Sequence, residues 1–309
     1  MKIDPDKQFT TSLESIAQIL SQYGLACISY KEASTGIENR TLITETDKGE
    51  FVVRIYRQGK KSLGQINLEV DFINYLRANN IKVPEILRNR LASYVTTQIF
   101  SDSTWQIIVM EFVEGVHAVS YTPTLINELA FTQANMHALA ATYKSTILGR
   151  ATTLNELRET YFIKQINSRQ IKSQKLTNFL ERGRNYKVFL DTNLPRGLCH
   201  LDYDKENTLA KDGSLAAILD FDDLEIAPYI VCLSYTLWHV RQQSGKDAAN
   251  HYLSKYQSIR ILSELEKSYI KPIMLFRHYV ISSIKILNGH TSIGEIDEYL
   301  SIETELLSS

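Results

Sequence analysis

Long apolar runs are missing from this 309-residue sequence. A helix that spans a membrane needs roughly 18 or more apolar residues in succession. The most apolar late stretch, residues 273–287, is interrupted by Arg277, His278 and Lys285. The first fifteen residues also lack the apolar core of a secretory signal. The sequence therefore predicts no membrane partner, and we expect a cytoplasmic protein.

Cysteine is scarce and scattered. Cys27, Cys199 and Cys232 are far apart in the sequence, and no two cysteines form a C-x-x-C pair. An odd, dispersed set argues against a disulfide framework or a zinc site. We interpret the three cysteines as small core residues in a reducing compartment.

An excess of charge of either sign is also absent. The chain carries 34 Lys and Arg against 35 Asp and Glu, a net charge of −1. A general electrostatic attraction to nucleic acid or to anionic lipid is therefore not expected. We predict no nucleic-acid partner, and the oligomeric state stays open.

The first third of the sequence is typical of an antiparallel sheet with one inserted helix. Thr11 and Glu14 have the spacing of a capping box before a first helix, and residues 47–49 predict a hairpin turn. The strands are expected at residues 25–32, 40–46, 50–56, 94–100 and 105–112, and the helices at residues 11–23 and 62–78.

After Gly115 the pattern becomes mostly helical, with one β-rich insert. Apolar periodicity predicts helices at residues 123–143, 155–170 and 174–191, and again towards the end of the chain. The insert covers residues 198–221 and turns at residues 211–213. We therefore expect an α+β chain with two lobes, a nucleotide-binding sheet lobe at 1–113 and a larger helical lobe at 114–309 that carries catalysis and substrate binding.

The β-rich insert contains the residues that indicate chemistry. Phosphoryl transfer from ATP needs a group that accepts the proton of the attacking hydroxyl, and hard oxygen ligands for Mg²⁺. Asp202, five residues before Asn207, supplies the acceptor and one ligand, and Asp220 after the hairpin supplies a second ligand. The order His-x-Asp-x₄-Asn followed by Asp-Phe is that of kinases. We therefore predict Asp202 as the catalytic base and Asn207 and Asp220 as the Mg²⁺ ligands.

The sheet lobe contains residues that suit an ATP site. Gly36 lies between two predicted strands, where it would let the backbone approach phosphate. A kinase places a basic residue on the third strand to hold the α- and β-phosphates and pairs it with a helical Glu, positions that Arg54 and Glu69 occupy here. Residues 110–113 suit the segment that contacts adenine. The candidate nucleotide-binding residues are Ser34, Gly36, Asn39, Arg54, Glu69, Glu111 and Val113.

With these motifs the chain resembles the superfamily of aminoglycoside phosphotransferases, choline kinases and homoserine kinases, which has a protein-kinase-like fold. Residues 36–39 and 194–197 are most similar to the kinase-like homoserine kinases. The resemblance implies an ATP- and Mg²⁺-dependent kinase that phosphorylates a small-molecule alcohol. It also implies that His200 supports the catalytic loop and that His137 packs in the core.

Three positions depart from the family pattern. Leu201 stands where Gly is common, Asp222-Asp223 stand where homoserine kinases have aromatic residues, and residues 231–234 lack an expected Asp. Asp204, Asp222 and Asp223 could attract an amine-bearing substrate or be solvated turn residues. Homoserine, amino alcohols and aminoglycoside-like molecules all stay open as acceptors. Choline would favour an aromatic cage, for which Tyr229, Tyr235 and Trp238 are candidates unless they are core residues.

Two other function classes compete with this interpretation. A catalytically silent nucleotide-binding protein with a kinase fold is disfavoured because the base and both metal ligands are present. A protein kinase is disfavoured because no Ala-Pro-Glu segment follows Asp220.

Overall fold

The computed structural model describes residues 11–33, 39–100, 103–153, 173–184, 193–287 and 292–308. The chain divides into two compact units. The first unit comprises Met1–Val116, Lys144–Arg150 and Ala216–Leu219, and the second comprises His117–Tyr143, Ala151–Leu215 and Asp220–Ser309. The division into a nucleotide-binding lobe at 1–113 and a catalytic lobe at 114–309 stays a proposal, because contacts alone assign no function to either unit.

The first unit is built on the antiparallel sheet that the sequence predicts. Among the described residues its strands are β1 (Cys27–Glu32), β2 (Arg40–Thr46), β3 (Gly49–Ile55), β4 (Thr96–Phe100) and β5 (Ser103–Glu111), in the order β1-β2-β3-β5-β4. The hairpin between β2 and β3 pairs Thr46 with Gly49. Gly49 has φ +111°, a backbone conformation that favours glycine.

Helix α1 (Leu13–Ser21) begins one residue later than the capping-box prediction implies. The hydroxyl of Ser12 accepts the N–H of Ser15 at 3.1 Å, and the hydroxyl of Ser15 accepts the N–H of Ser12 at 2.9 Å. The predicted pair of Thr11 and Glu14 is therefore wrong, because serine side chains one position further on satisfy the same N–H groups. Buried residues of the helix join the apolar core of the sheet, which includes Ile16, Ile19, Leu20, Leu42, Val53, Ile55, Trp105, Ile107 and Val109.

Helix α2 (Leu63–Ala78) lies between β3 and β4 in the chain, as predicted. Ser62 caps it, because its hydroxyl accepts the N–H of Gln65 while the Gln65 side chain accepts the N–H of Ser62. Its buried apolar side chains include Ile66, Val70 and Ile73. Glu69 is buried with them and needs polar partners for its charge.

The second unit contains most of the described helices. Thr122 caps the first of them and Pro123 occupies its first turn, where proline is tolerated. The predicted helix at residues 155–170 lies outside the described residues, and the one predicted at 174–191 is described as far as Arg184. The helices are α3 (Pro123–Thr142), α4 (Gln174–Arg184), α5 (Tyr229–Gln257, interrupted at Gly245), α6 (Glu264–Leu287) and α7 (Ile296–Ser308).

The β-rich insert forms short strands as predicted. They are β7 (Arg196–His200), β8 (Thr208–Lys211), β9 (Ser214–Ile218) and β10 (Leu224–Pro228), after a two-residue β6 (Val116–His117). Asp212 and Gly213, between β8 and β9, have φ of +52° and +79°, as a tight hairpin turn requires. In the β7–β10 ladder His200 pairs with Leu224. The loop after β7 and the loop before β10 therefore meet at one end of this ladder.

Among the described helices, none combines the length and the apolar composition that crossing a membrane requires.

Gly197 on β7 provides a test of this packing. A Cβ at this position would lie 2.2 Å from the hydroxyl oxygen of Tyr229 and 3.0 Å from its ring carbon Cζ. We expect Gly197→Ala to reduce the free energy of unfolding by about 1–3 kcal/mol through overpacking, measured by urea denaturation. Adding Tyr229→Phe removes the closest atom and should restore part of the loss.

Gly149→Ala is the matched control, because no atom of the described residues, apart from those adjacent in the chain, lies within 4 Å of a Cβ added there. Equal stability of the Gly197→Ala and Gly149→Ala variants would contradict the packing described here.

Candidate active site

The loop after β7 brings two of the predicted site residues into direct contact. The amide nitrogen Nδ2 of Asn207 donates to the main-chain oxygen of Asp202 at 2.8 Å and to its carboxylate Oδ2 at 2.9 Å. These bonds use both donors of the amide and so fix its orientation. The side chain of Asp202 is 42% exposed, so its carboxylate is held in place and is still accessible.

Asp220 lies on the loop before β10, at the same end of the β7–β10 ladder as the loop after β7. It has φ +56°, its Oδ1 accepts the N–H of Asp222 at 3.3 Å, and it precedes a short 3₁₀ helix, Phe221–Asp223. The N–H of Leu201 donates to the main-chain oxygen of Asp223 at 3.3 Å. Asp220 is exposed.

Buried side chains of the second unit support the loop after β7. His200 is 1% exposed, and its ring lies 4.7 Å from that of Phe221 and 5.8 Å from that of Tyr203, between centroids. On α5, the Cys232 thiol donates to the His200 oxygen at 3.1 Å and the Thr236 hydroxyl donates to the Tyr203 oxygen at 2.8 Å. These two bonds support the loop, although residues 231–234 lack the aspartate that is common in the resembling family.

Asp204 organises the loop from within. It is 5% exposed, and its Oδ1 accepts the N–H groups of Glu206 at 2.8 Å and of Asn207 at 3.2 Å. Burial, and then the negative charge of Asp202, raise the pKa of Asp204 to about 6. The hypothesis that Asp204 attracts a substrate amine is disfavoured, because its carboxylate already serves the backbone of the loop.

Arg277, on α6, contacts the proposed base. Its Nη2 donates to Asp202 Oδ1 at 3.0 Å and to His239 Nε2 at 3.1 Å, and its guanidinium lies 4.7 Å from the ring centroid of Tyr235. His239 Nδ1 lies 3.6 Å from Asp204 Oδ2. Burial, and then the charge of Arg277, lower the pKa of His239 to about 3, so this ring is neutral at physiological pH.

Within the described part of the chain, two groups of side chains have the spacing of metal ligands. Asp202, Asp204 and His239 form one, but the Arg277 guanidinium already places a positive charge against two of its members. Cys199, Cys232 and His137 form the other, inside the core. Its two thiols donate to main-chain oxygens, Cys199 to Ala227 at 3.5 Å and Cys232 to His200. Each sulfur atom of this group therefore already has a hydrogen-bond partner in the core.

The cysteines and the histidine of the core therefore have structural surroundings. Cys199 and Cys232 are buried, as the sequence predicts, whereas Cys27 is half-buried. His137 is 2% exposed and its Nδ1 lies 2.7 Å from the Tyr256 hydroxyl, which fits the predicted packing role.

In the first unit, Glu69 has two polar partners in the segment between β3 and α2. Its carboxylate accepts the Tyr56 hydroxyl at 2.8 Å and forms an ion pair with Lys61. Arg54 is 8% exposed, and its guanidinium lies 5.7 Å from the ring centroid of Tyr56. Lys61 is thus a basic partner of Glu69, and the strand pattern gave no signal for it.

The other predicted nucleotide-binding residues are placed as follows. Ser34 and Gly36 lie outside the described residues. Asn39 is 7% exposed, and its Oδ1 accepts the N–H of Arg57 at 2.9 Å. Glu111 ends β5, where its carboxylate pairs with Arg77 at 2.8 Å, and Val113 is half-buried two residues later. The Glu111 side chain therefore links β5 to α2 within the first unit.

The three aromatic candidates for a choline cage are core residues. Tyr229, Tyr235 and Trp238 are 2%, 3% and 7% exposed. Tyr229 stacks on His137 with 4.9 Å between ring centroids, and Tyr235 packs under Arg277. An aromatic cage for a quaternary ammonium is not supported at these positions.

Comparison with known proteins adds a family to this geometry. Residues 29–266 match the APH group, described as the phosphotransferase enzyme family. The chain belongs to this family. The membership confirms the predicted resemblance, the protein-kinase-like α+β fold and the class of small-molecule kinase.

Individual relatives are distant in sequence and similar in fold. The homoserine kinase of Afipia carboxidovorans is 24% identical over 265 residues, which cover 82% of this chain and 78% of that protein. A microcompartment-associated aminopropanol kinase superposes with a TM-score of 0.76 at 18% identity, over 96% of this chain and 95% of that one. A spectinomycin phosphotransferase, solved with ADP and spectinomycin, gives a TM-score of 0.63 at 12% identity, over 96% and 94%.

Asp204 can be tested by stability. We expect Asp204→Ala to reduce the free energy of unfolding by about 1–3 kcal/mol, because two half-buried N–H groups lose their acceptor. Asp204→Asn retains an acceptor oxygen and should be less destabilising in the same urea titration. A larger loss in the Asn variant than in the Ala variant would contradict this role.

Proposed function

We propose that this chain transfers the γ-phosphoryl group of ATP to a hydroxyl of a small molecule, with Asp202 as the base. The contact between Asp202 and Asn207 carries the proposal. A carboxylate that can accept a proton and an amide that can bind a cation are thereby neighbours on one short loop, which supports phosphoryl transfer. A carboxylate offers about four acceptor positions, so Asp202 can accept a substrate hydroxyl beside its present donors.

Asn207 and Asp220 are the residues that would hold Mg²⁺. Because Nδ2 of Asn207 is used by Asp202, the oxygen Oδ1 is the atom of that amide left to face a cation. Asp220 adds an exposed carboxylate. Such a donor set of hard oxygens fits Mg²⁺, which would neutralise charge on the phosphates.

Two basic residues of the first unit compete for the α- and β-phosphates. Arg54 stands at the strand position that the family resemblance assigns, and Lys61 forms the ion pair with the buried Glu69. We favour Arg54 as the phosphate contact and Lys61 as a partner that holds Glu69. Asn39, Glu111 and Val113 would contribute position and backbone to the nucleotide site, and Ser34 and Gly36 would cover the phosphates.

The acceptor is an alcohol whose identity we propose to find by a screen. Homoserine is the first candidate, because a homoserine kinase matches this chain over 82% of its length. Other homoserine kinases match it over about four-fifths of its length. Amino alcohols and aminoglycoside-like molecules follow, since proteins of similar fold act on aminopropanol and spectinomycin. ADP production would be measured with magnesium-ATP over this panel.

Asp202→Asn tests the base. We expect kcat to fall by about 10²–10⁴-fold, because the amide cannot take the hydroxyl proton. The affinity for magnesium-ATP, measured by calorimetry, should change little. Asp212→Asn at the exposed hairpin tip is the control and should retain wild-type turnover.

Turnover close to wild type in Asp202→Asn would refute the assignment of the base. Asp220→Ala should instead weaken nucleotide binding that depends on Mg²⁺. If the wild-type chain binds magnesium-ATP and phosphorylates nothing in the panel, the silent nucleotide-binding alternative is favoured.

The roles of Arg54 and Lys61 can be distinguished by comparing two variants. We expect Arg54→Met to raise the Kd for ATP by about 10-fold or more, because a charge-assisted contact to phosphate is lost. Lys61→Met should chiefly lower stability, since it leaves Glu69 with one polar partner fewer. A greater loss of ATP affinity in Lys61→Met than in Arg54→Met would reverse the two roles.

A further inference from the structure

A closed ring of polar contacts surrounds the proposed base. Asp202 Oδ1 accepts from Arg277 at 3.0 Å, and the same Arg277 nitrogen lies 3.1 Å from His239 Nε2. His239 Nδ1 lies 3.6 Å from Asp204 Oδ2, and Asp204 Oδ1 accepts the N–H of Asn207 at 3.2 Å. Asn207 closes the ring by donating to Asp202 Oδ2 at 2.9 Å. The ring thus joins both ends of the catalytic loop to α5 and α6.

The chemistry of the ring fixes the tautomer of His239. Arginine stays protonated and only donates, so Nε2 of His239 must present its lone pair to Arg277. The ring is neutral, because burial and the charge of Arg277 lower the pKa of His239 to about 3. Its single proton therefore lies on Nδ1, which faces the Asp204 carboxylate.

The buried positive charge of Arg277 is compensated by Asp202. It is 4% exposed, and among the described residues its Nε has no hydrogen-bond partner. A buried guanidinium needs a compensating carboxylate, and Asp202 supplies one at 3.0 Å. Tyr235 under the guanidinium removes a further face from water. The cation is therefore held rigidly against the base.

We propose that Arg277, oriented by His239, is a positioning residue that fixes the plane of the Asp202 carboxylate for phosphoryl transfer. The inference rests on the proposed role of Asp202 as base. The terminal torsion of an aspartate is intrinsically broad, so a carboxylate held by Asn207 alone could rotate. Donors on both oxygens, Arg277 on one and Asn207 on the other, prevent that rotation. If the carboxylate could rotate, the rate of the chemical step would fall more than the affinity for nucleotide would.

Kinetics of Arg277 variants test the positioning role. With magnesium-ATP and the acceptor that the wild-type chain phosphorylates, we expect Arg277→Met to lower kcat by about 10–100-fold. KM for ATP should stay within about twofold. Arg277→Lys keeps the charge without the planar fork and should be intermediate. Added guanidinium should restore part of the kcat of Arg277→Ala.

Arg260→Met is the matched control. Arg260 also stacks on a tyrosine, at 5.0 Å from the ring centroid of Tyr229, and bonds a buried carboxylate, Glu266, at 2.7 Å. Its loss removes similar packing and charge without removing a donor from Asp202. The folded fraction of Arg260→Met should retain wild-type kcat. If kcat fell equally in Arg277→Met and Arg260→Met, the loss of a packed cation would explain the effect without any positioning of Asp202, and the proposal would be overturned.

His239 supplies a readout that needs no acceptor. Long-range ¹H–¹⁵N spectra at pH 7 should show it neutral with the proton on Nδ1, and the signal, assigned by its loss in His239→Gln, should be present in the unliganded chain. A proton on Nε2, or a protonated ring, would overturn the ring of contacts. His239→Gln keeps an acceptor towards Arg277, so it should retain more kcat than His239→Leu.

The outcomes separate this proposal from the proposed function. If Asp202→Asn abolishes turnover and Arg277→Met keeps wild-type kcat, the positioning role is wrong and the base assignment stands. If Asp202→Asn keeps turnover, the base assignment fails, and the inference about Arg277 fails with it even where the spectra show the expected tautomer.

Discussion

The packing of the second unit around Asp202 depends on two interactions of its carboxylate, one with the guanidinium of Arg277 and one with the amide of Asn207. Arg277 is buried, and a buried cation without a carboxylate would destabilise the fold strongly. Asp202 is in turn 42% exposed, so a carboxylate that compensates an interior charge still faces solvent. The Asp202 carboxylate, which we propose as the base, therefore cannot move without leaving the buried charge of Arg277 uncompensated.

The loop after β7, residues 201–207, is held in place because side chains from several directions bond its backbone. Asp204 accepts two of its N–H groups, and Cys232 and Thr236 on α5 donate to the oxygens of His200 and Tyr203. Each bond alone contributes about 0.5–1.5 kcal/mol. Together they fix the loop at the end of the β7–β10 ladder, where His200 pairs with Leu224. A site on such a loop needs little reorganisation when the substrate binds.

Much of the fold could be predicted from local pattern, whereas the ring around Asp202 could not. Strand alternation, the hairpin turn before Gly49 and the proline at residue 123 are local signals, and the structure confirms the elements that they predict. The Asp202–Asn207 contact spans five residues and was visible in the sequence. Arg277 lies 75 residues from Asp202, and its contact depends on how α6 packs. The one local signal was a charged residue inside an apolar helical stretch, and such a residue is often a functional or paired one.

Selectivity for the acceptor has to come from residues other than those of the ring. Asp204 is used by backbone N–H groups, His239 by Arg277 and Asp204, and Arg277 by Asp202. A substrate amine or carboxylate that bound to one of them would have to break a contact that holds the Asp202 carboxylate in place. Because these described neighbours of Asp202 contact one another, residues at other positions can change without moving the Asp202 carboxylate.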